Sequence, residues 1–181
     1  MTDPALGAVL DDDRGSLPFQ LIHGEALVAC AAWALSEAGV TAVDPRTSWS
    51  AIARAGEPFV LHDPLCPMTP ASFISECVSR ALGADRVVVA YRPVTDTVKV
   101  VDDGFLGDTV DRAGLRVVVS PIVLPPSVVG ALTALPTTDF EGLAESLREA
   151  YAVELVEAPA AARRVGSLDD LRVLEALTRP A

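Results

Sequence analysis

Short apolar runs alternate with helical stripes along the chain. Ala5 to Leu10 reads as a buried strand, and Glu57 to Asp63, Arg86 to Tyr91 and Tyr151 to Val156 read the same way. Gly24 to Gly39 carries Leu27, Val28, Ala31, Ala32 and Leu35 on one helical face, with Gly39 suited to the C′ position. Trp33 on that helix is expected to pack. The segment after Val40, up to Pro58, has little periodicity. Thr69-Pro70 opens a second helix as N-cap and first-turn proline; Phe73, Ile74, Cys77, Val78, Ala81 and Leu82 form its buried face and Gly83 closes it. Pro125-Pro126 start a third, with Val128, Val129 and Leu132 inward. Thr138 with Glu141 predicts a capping box for a fourth through Leu143 and Leu147, and Ser167 with Asp170 caps the last, bearing Leu171, Leu174 and Leu177.

One stretch departs from this alternation. From Pro93 to Lys99 the chain is extended, Asp102-Asp103-Gly104 makes an acidic turn, and Thr109 to Arg112 leads into Leu115 to Val119. Two alternating segments around a glycine-containing turn predict an antiparallel β-arm, about residues 93–120. Such an arm cannot bury both its faces, so it is expected to pack on its own domain or on a second subunit. Lys99 and Arg112 make it a candidate anion holder.

Composition narrows the function classes. With 181 residues, half of them apolar, the chain suffices for one α/β domain, and neither a repeat nor a low-complexity linker divides 1–181. No apolar run approaches the ~20 residues that span a bilayer. The start, MTDPALGAVLDDDRG, has neither the basic region nor the cleavage site of a signal peptide, so a cytoplasmic location is expected. Net charge is −11, which argues against nonspecific nucleic-acid or anionic-membrane binding but leaves a local nucleotide site possible. Cys30, Cys66 and Cys77 have no metal-ligand spacing and read as reduced thiols.

The segments DTVK and TVDRAGL, with the upstream His62-Asp63-Pro64-Leu65-Cys66-Pro67, resemble the 2-C-methyl-D-erythritol 4-phosphate cytidylyltransferases and their sugar-nucleotide relatives. The resemblance covers about residues 57–124 and, more weakly, continues to 178 through Arg163-Arg164-Val165-Gly166-Ser167. It implies a Rossmann-like α/β fold of nucleotidyltransferase type: a mostly parallel sheet flanked by helices, with the β-arm protruding and pairing two copies as a homodimer. It further implies CTP and a polyol or sugar phosphate as ligands, with Mg²⁺ as cofactor. Asp63 would position Mg²⁺ and the nucleotide, with Arg14 also on the nucleotide. Arg112 would meet the polyol phosphate or the developing charge, Thr97 and Ser120 would hydrogen-bond the substrate, and Arg164 would replace a family lysine near the α-phosphate. Each has a plainer reading. Asp63 suits an Asx-turn or helix cap, Arg112 an ion pair with Asp96 or Asp111, and His62 a hydrogen-bonded structural role.

Cytidylyl transfer asks the protein mainly for positioning and cations, because the attacking phosphate is already anionic. The resembled family has an Ala-Ala-Gly-x-Gly-x-Arg type loop followed by Pro-Lys. This chain has Asp11-Asp12-Asp13-Arg14-Gly15-Ser16 followed by Pro18-Phe19, and Cys66 replaces the motif arginine. The Asp triplet is read as a solvated turn or as a metal-assisted site. One phosphate-directed donor is worth ~3 kcal/mol in the transition state. The expectation is therefore a shortened nucleotidyltransferase-like protein with weak or lost cytidylyl transfer. The alternative is an active CTP-dependent enzyme with a remodelled loop. A metabolite-binding module and an interaction protein stay open beside these.

Overall fold

The computed structural model describes residues 3–44, 46–94, 98–102, 105–110 and 114–179. Strand β1 (Ala5–Val9) leads through an exposed turn and a short 3-10 segment (Leu17–Phe19) into a tight hairpin, β2 (Leu21–Ile22) and β3 (Glu25–Ala26). Helix α1 (Leu27–Glu37), β4 (Val40–Ala42), α2 (Trp49–Ala55), β5 (Phe59–His62) and α3 (Ala71–Ala84) follow. Then come β6 (Val87–Pro93), the pair β7 (Val98–Asp102) and β8 (Phe105–Val110), and β9 (Arg116–Leu124). Helices α4 (Pro126–Ala131) and α5 (Phe140–Ala150), strand β10 (Val153–Glu157) and helix α6 (Leu168–Leu177) complete the order.

Six strands form the central sheet in the order β10-β6-β9-β5-β1-β4. β4, β1 and β5 pair in parallel, as do β6 and β10, while β9 enters between β5 and β6 antiparallel to both. This is the expected mostly parallel α/β sheet, with one reversed strand at its centre. The middle strands are apolar without alternation because helices cover both faces. Val60, Val88, Ala90 and Val123 pack with Leu35, Phe73, Ile74 and Val78 of α1 and α3. Phe59, Leu61, Val87, Val89, Ile122 and Leu124 pack with Ile52, Val128, Phe140, Leu143 and Leu147 of α2, α4 and α5. A third cluster joins Ile22, Leu27 and Leu65 to Val165, Leu171 and Leu174, seating α6 beside the β2–β3 hairpin.

β7 and β8 pair antiparallel and with no strand of the central sheet, from Val98↔Val110 to Asp102↔Phe105. The separate hairpin is shorter than the 93–120 expected, because β6 and β9 remain paired out to Pro93↔Arg116. Ser120 therefore belongs to a central strand and not to the arm.

Several boundaries differ from the sequence expectation for local physical reasons. Gly24, Glu25 and Ala26, expected to start α1, instead belong to a hairpin over 21–26, because His23 (φ 50°) and Gly24 (φ 87°) both take the positive φ that a two-residue turn requires. Trp33 is 53% exposed, since Ala31, Ala34 and Leu35 make the buried face. α2 was hidden by weak periodicity, yet Ser48 caps it, accepting from the Ala51 N–H, and Gly56 ends it in the left-handed region. Its Trp49 donates Nε1–H to the Val129 carbonyl and lies edge-on to Phe59. Pro70, not Thr69, is the N-cap of α3; Thr69 donates its hydroxyl to the Cys66 carbonyl. That helix continues through Gly83 and stops at Asp85 (φ 47°). Asp139 caps α5 in place of Thr138, because its carboxylate meets the Gly142 N–H at 2.8 Å.

Gly7 of β1 has no room for a side chain: a Cβ there would meet Val40 Cγ1 at 2.6 Å and the Val60 carbonyl oxygen at 2.8 Å. Around Gly83 nothing lies within 4 Å of such an atom. Urea unfolding of Gly7→Ala is expected to lose about 1–3 kcal/mol through overpacking against backbone. Gly83→Ala is expected to gain up to about 1 kcal/mol of helix propensity.

Candidate functional site

β5 ends at His62, which puts Asp63 at the carboxyl edge of the sheet, where open α/β sheets bind ligands. The Asp63 carboxylate is 1% exposed, and each of its oxygens meets an arginine. Oδ1 accepts from Arg14 Nε at 3.3 Å and from the Leu65 N–H at 2.9 Å. Oδ2 accepts from Arg164 Nε at 3.1 Å. The Asx-turn and the charged site are thus one arrangement.

The two arginines come from opposite ends of the chain. Arg14 stands in the turn after β1, held next to β5 by the Leu10 N–H on the His62 carbonyl at 2.9 Å. Its side chain is 7% exposed. It also donates to the Asp12 carbonyl at 2.9 Å and the Thr138 carbonyl at 3.0 Å, with its guanidinium 5.9 Å from the centre of the Phe140 ring. Arg164 is fixed by its neighbour: the Val165 N–H donates to the Leu65 carbonyl at 2.7 Å, and the Val165 side chain is buried in the third cluster. Arg164 itself stays 39% exposed. Val118, Asp139, Phe140, Glu141 and Arg164 line a small cleft of about 160 Å³ beside the node.

Behind Asp63 lies a buried polar pair. The Asp63 N–H donates to Ser120 Oγ at 3.0 Å, and the same oxygen is bonded to His62 Nδ1. His62 and Ser120 are fully buried, and His62 Nε2 is the one buried side-chain polar atom without a partner among the described residues. Burial lowers the His62 pKa to about 4 against the smaller opposing pull of Asp63, so the ring is neutral at pH 7. Cys66, also buried, has its thiol pushed up by burial and by Asp63, which makes it a packed thiol and not a nucleophile.

Of the residues singled out in the sequence, Asp63, Arg14, Arg164 and Ser120 stand together. Thr97 and Arg112 lie outside the described residues, as do Asp96 and Asp111. Asp11, Asp12 and Asp13 are exposed, and no α-helix follows that turn directly: after the short 3-10 segment, α1 begins only at Leu27, whose N–H is taken by the Gln20 carbonyl. Among the described residues no three His, Cys, Asp or Glu side chains group as metal ligands, and no helix is long and apolar enough to cross a membrane. Sequence reasoning read Thr138 only as a helix cap and missed that its carbonyl accepts from Arg14 across 124 residues of chain; it also missed Phe140, whose ring lies beside the same guanidinium. It also gave no role to Arg92 or Arg163. Arg92 lies one position before the quoted extended run, and Arg163 lies beside Arg164.

A family model described as IspD: 2-C-methyl-D-erythritol 4-phosphate cytidylyltransferase matches residues 43–179. The chain is similar to the 2-C-methyl-D-erythritol 4-phosphate cytidylyltransferase of Nocardia farcinica, 37% identical over 122 residues, covering 66% of this chain and 52% of that protein. It is also similar to the enzyme of the same name from Frankia casuarinae, 34% identical over 134 residues, covering 64% and 50%. The chain therefore spans about half the length of these curated relatives. Among solved structures, the 2-C-methyl-D-erythritol 4-phosphate cytidylyltransferase of Thermus thermophilus superposes with a TM-score of 0.72 at 22% identity, covering 99% of this chain and 100% of that one. The 4-diphosphocytidyl-2C-methyl-D-erythritol synthase of Anaerococcus prevotii gives 0.67 at 13% identity, covering 99% and 97%.

Two stability measurements test this geometry. Removing one member of a buried ion pair costs about 3–5 kcal/mol because the partner charge is left without its counter-ion. Asp63→Asn is expected to lose about 3 kcal/mol in urea unfolding, and adding Arg14→Met is expected to restore part of it; a loss under 1 kcal/mol would rule out a buried ionic node. His62 has the opposite dependence from a paired histidine. Its folded pKa, about 4, lies below the ordinary 6.5, so the unfolded state gains the proton first as pH falls. Wild type is expected to lose about 3 kcal/mol more than His62→Asn between pH 7 and pH 4, read as the difference between their urea curves.

Proposed function

The chain belongs to the 2-C-methyl-D-erythritol 4-phosphate cytidylyltransferase family, and on that premise we propose that it binds CTP or its polyol phosphate partner at the Asp63 node with weak or lost cytidylyl transfer. The observation that carries this reading is the state of Asp63. Its one negative charge is neutralised by two guanidinium groups, and the turn that should cradle a triphosphate presents Asp11, Asp12 and Asp13. A triphosphate approaching that turn meets like charge, and to use Arg14 it must first break that side chain's hydrogen bonds to Asp63 and to the Asp12 and Thr138 carbonyls.

Mg²⁺ commonly binds through one or two carboxylates together with substrate phosphates. Because the Asp63 carboxylate is already paired on both oxygens, the protein's own donors do not fit a resident metal; an ion would arrive on the nucleotide. Thr97 and Arg112 enter this reading as substrate-side groups of the arm, and Ser120 as the hydroxyl that holds the Asp63 backbone. The arm would pair two copies, since a lone two-stranded hairpin is marginal in water.

A second reading, an active cytidylyltransferase with a remodelled loop, is favoured by Arg14 itself. It brings a cation from the divergent turn to the sheet edge. Calorimetric titration of CTP with and without Mg²⁺, coupled to pyrophosphate release in the presence of 2-C-methyl-D-erythritol 4-phosphate, separates the two. The expected result is a binding isotherm that Arg14→Ala and Arg164→Ala abolish, without pyrophosphate above background. Release at about 1 s⁻¹ or faster, the ordinary range of enzymes, would establish the second reading instead.

A further inference from the structure

One side of α1 forms the wall of a groove of about 350 Å³ that shares no lining residue with the Asp63 node. Cys30, Trp33, Ala34 and Glu37 follow the i, i+3, i+4, i+7 spacing that puts them in one row on the helix. The chain from Pro67 to Ala71, with Met68, makes the opposite wall. His23 and Glu25 of the β2–β3 hairpin close the end nearer the start of α1.

Acid is unbalanced at both ends of this groove. Glu25 and Glu37 are exposed and have neither an ion-pair nor a hydrogen-bond partner among the described residues. No arginine or lysine lines the groove. His23 is engaged with α6: its N–H donates to Glu175 Oε1 at 2.9 Å, and its Nε2 is bonded to Thr178 Oγ1 at 2.8 Å. Glu37 is the last residue of α1, where the carbonyl ends carry partial negative charge, and the last turn holds no basic side chain. Like charge therefore accumulates there with nothing to offset it. At the other end the Glu25 charge acts on the groove floor, since it adds to burial in raising the Cys30 thiol. Between the two carboxylates lies Trp33, 53% exposed, whereas Trp49 is packed edge-on against Phe59. An indole face attracts a cation, and Met68 and Cys30 add polarisable apolar surface to the same groove.

We infer that this groove binds a linear organic diamine or polyamine, with one ammonium at Glu37, another at Glu25 and the alkyl stem along Trp33 and Met68. Two carboxylates without counter-ions fix the number of charges, since a single ammonium would leave one of them unmatched. Helix geometry fixes the span. Cys30 and Glu37 are seven residues apart, about 10 Å along the axis at a rise of about 1.5 Å per residue, and Glu25 acts at the Cys30 end. An extended chain gains about 1.2 Å per bond, because three backbone bonds cover about 3.6 Å, so about eight bonds between the ammonium nitrogens fit. At about 30 Å³ per heavy atom, the share of one water in the liquid, the groove holds roughly ten such atoms. The site stands apart from the nucleotide reading.

The probe is 1,8-diaminooctane, whose nitrogens lie about 11 Å apart when extended, titrated calorimetrically into the full chain. It is compared with 1,4-diaminobutane, which has the same two charges closer together, and with octylamine, which has the same stem and one charge. The long diamine is expected to bind at one site, about fivefold or more tighter than either. Trp33→Leu and Glu37→Gln are each expected to weaken it about threefold, the scale of one exposed cation–π contact or ion pair. Glu145→Gln removes an exposed carboxylate of α5 that lies outside the groove, and is expected to change nothing. Binding is also expected to alter tryptophan fluorescence in wild type and not in Trp33→Leu. The comparison of the three amines uses wild type alone, and thermal melts confirm that the variants fold. No binding, equal affinity for the three amines, or unchanged affinity in both Trp33→Leu and Glu37→Gln would overturn the proposal. So would an equal loss in Glu145→Gln, which would reduce the effect to general attraction by the −11 charge.

Discussion

A single buried carboxylate holds this structure's functional edge together. Asp63 sits in the interior with one negative charge, and that charge is tolerable only because two guanidinium groups and a backbone N–H meet it. One arginine belongs to the turn after the first strand and the other to the segment before the last helix. The node therefore fixes both ends of the chain on the central strand β5. Through Arg14 it also reaches the Thr138 carbonyl and the Phe140 ring at the start of α5. Satisfying one ion thus organises four separate segments.

The reversed strand makes the node possible. β9 runs antiparallel between β5 and β6, so its Ser120 lies behind the end of β5 and can hold the Asp63 N–H while engaging His62. A helix-connected parallel strand in that place would end at the same edge as β5, and would not bring its middle against residue 63. The reversal also carries the chain away to the β7–β8 hairpin and back. That leaves Val117 of β9 and Arg92 of β6 along the same groove as Arg163 and Arg164.

The family match begins at residue 43, beyond β1 and its turn. From β5 onward the chain has Asp63 at the strand end, the β7–β8 hairpin and Arg163-Arg164 ahead of α6; before residue 43, three exposed aspartates stand in the turn after β1. β1 is seated by Gly7, which packs against Val40 and Val60 as a backbone fit with no room for a side chain.

Much of the architecture was legible in the order of residues. Apolar runs at 5–10, 57–63, 86–91 and 151–156 marked strands because doubly covered strands must be apolar throughout, and the caps at Gly39 and Ser167 act within one turn of backbone. Asp63 and Arg164 could be singled out from local motifs. The elements that escaped were short or depended on distant partners: the hairpin at 21–26, the seven-residue α2 and the placement of β9 as a central strand. What linear pattern could not contain was the pairing itself. That Arg14 and Arg164 share one carboxylate, that Phe140 lies near Arg14, and that Arg92 and Arg163 line one groove are juxtapositions of residues tens to more than a hundred positions apart. Local spacing determined the strands, helices and candidate charges; only the packed sheet, by forcing buried charges to find counter-ions in three dimensions, decided which of them meet.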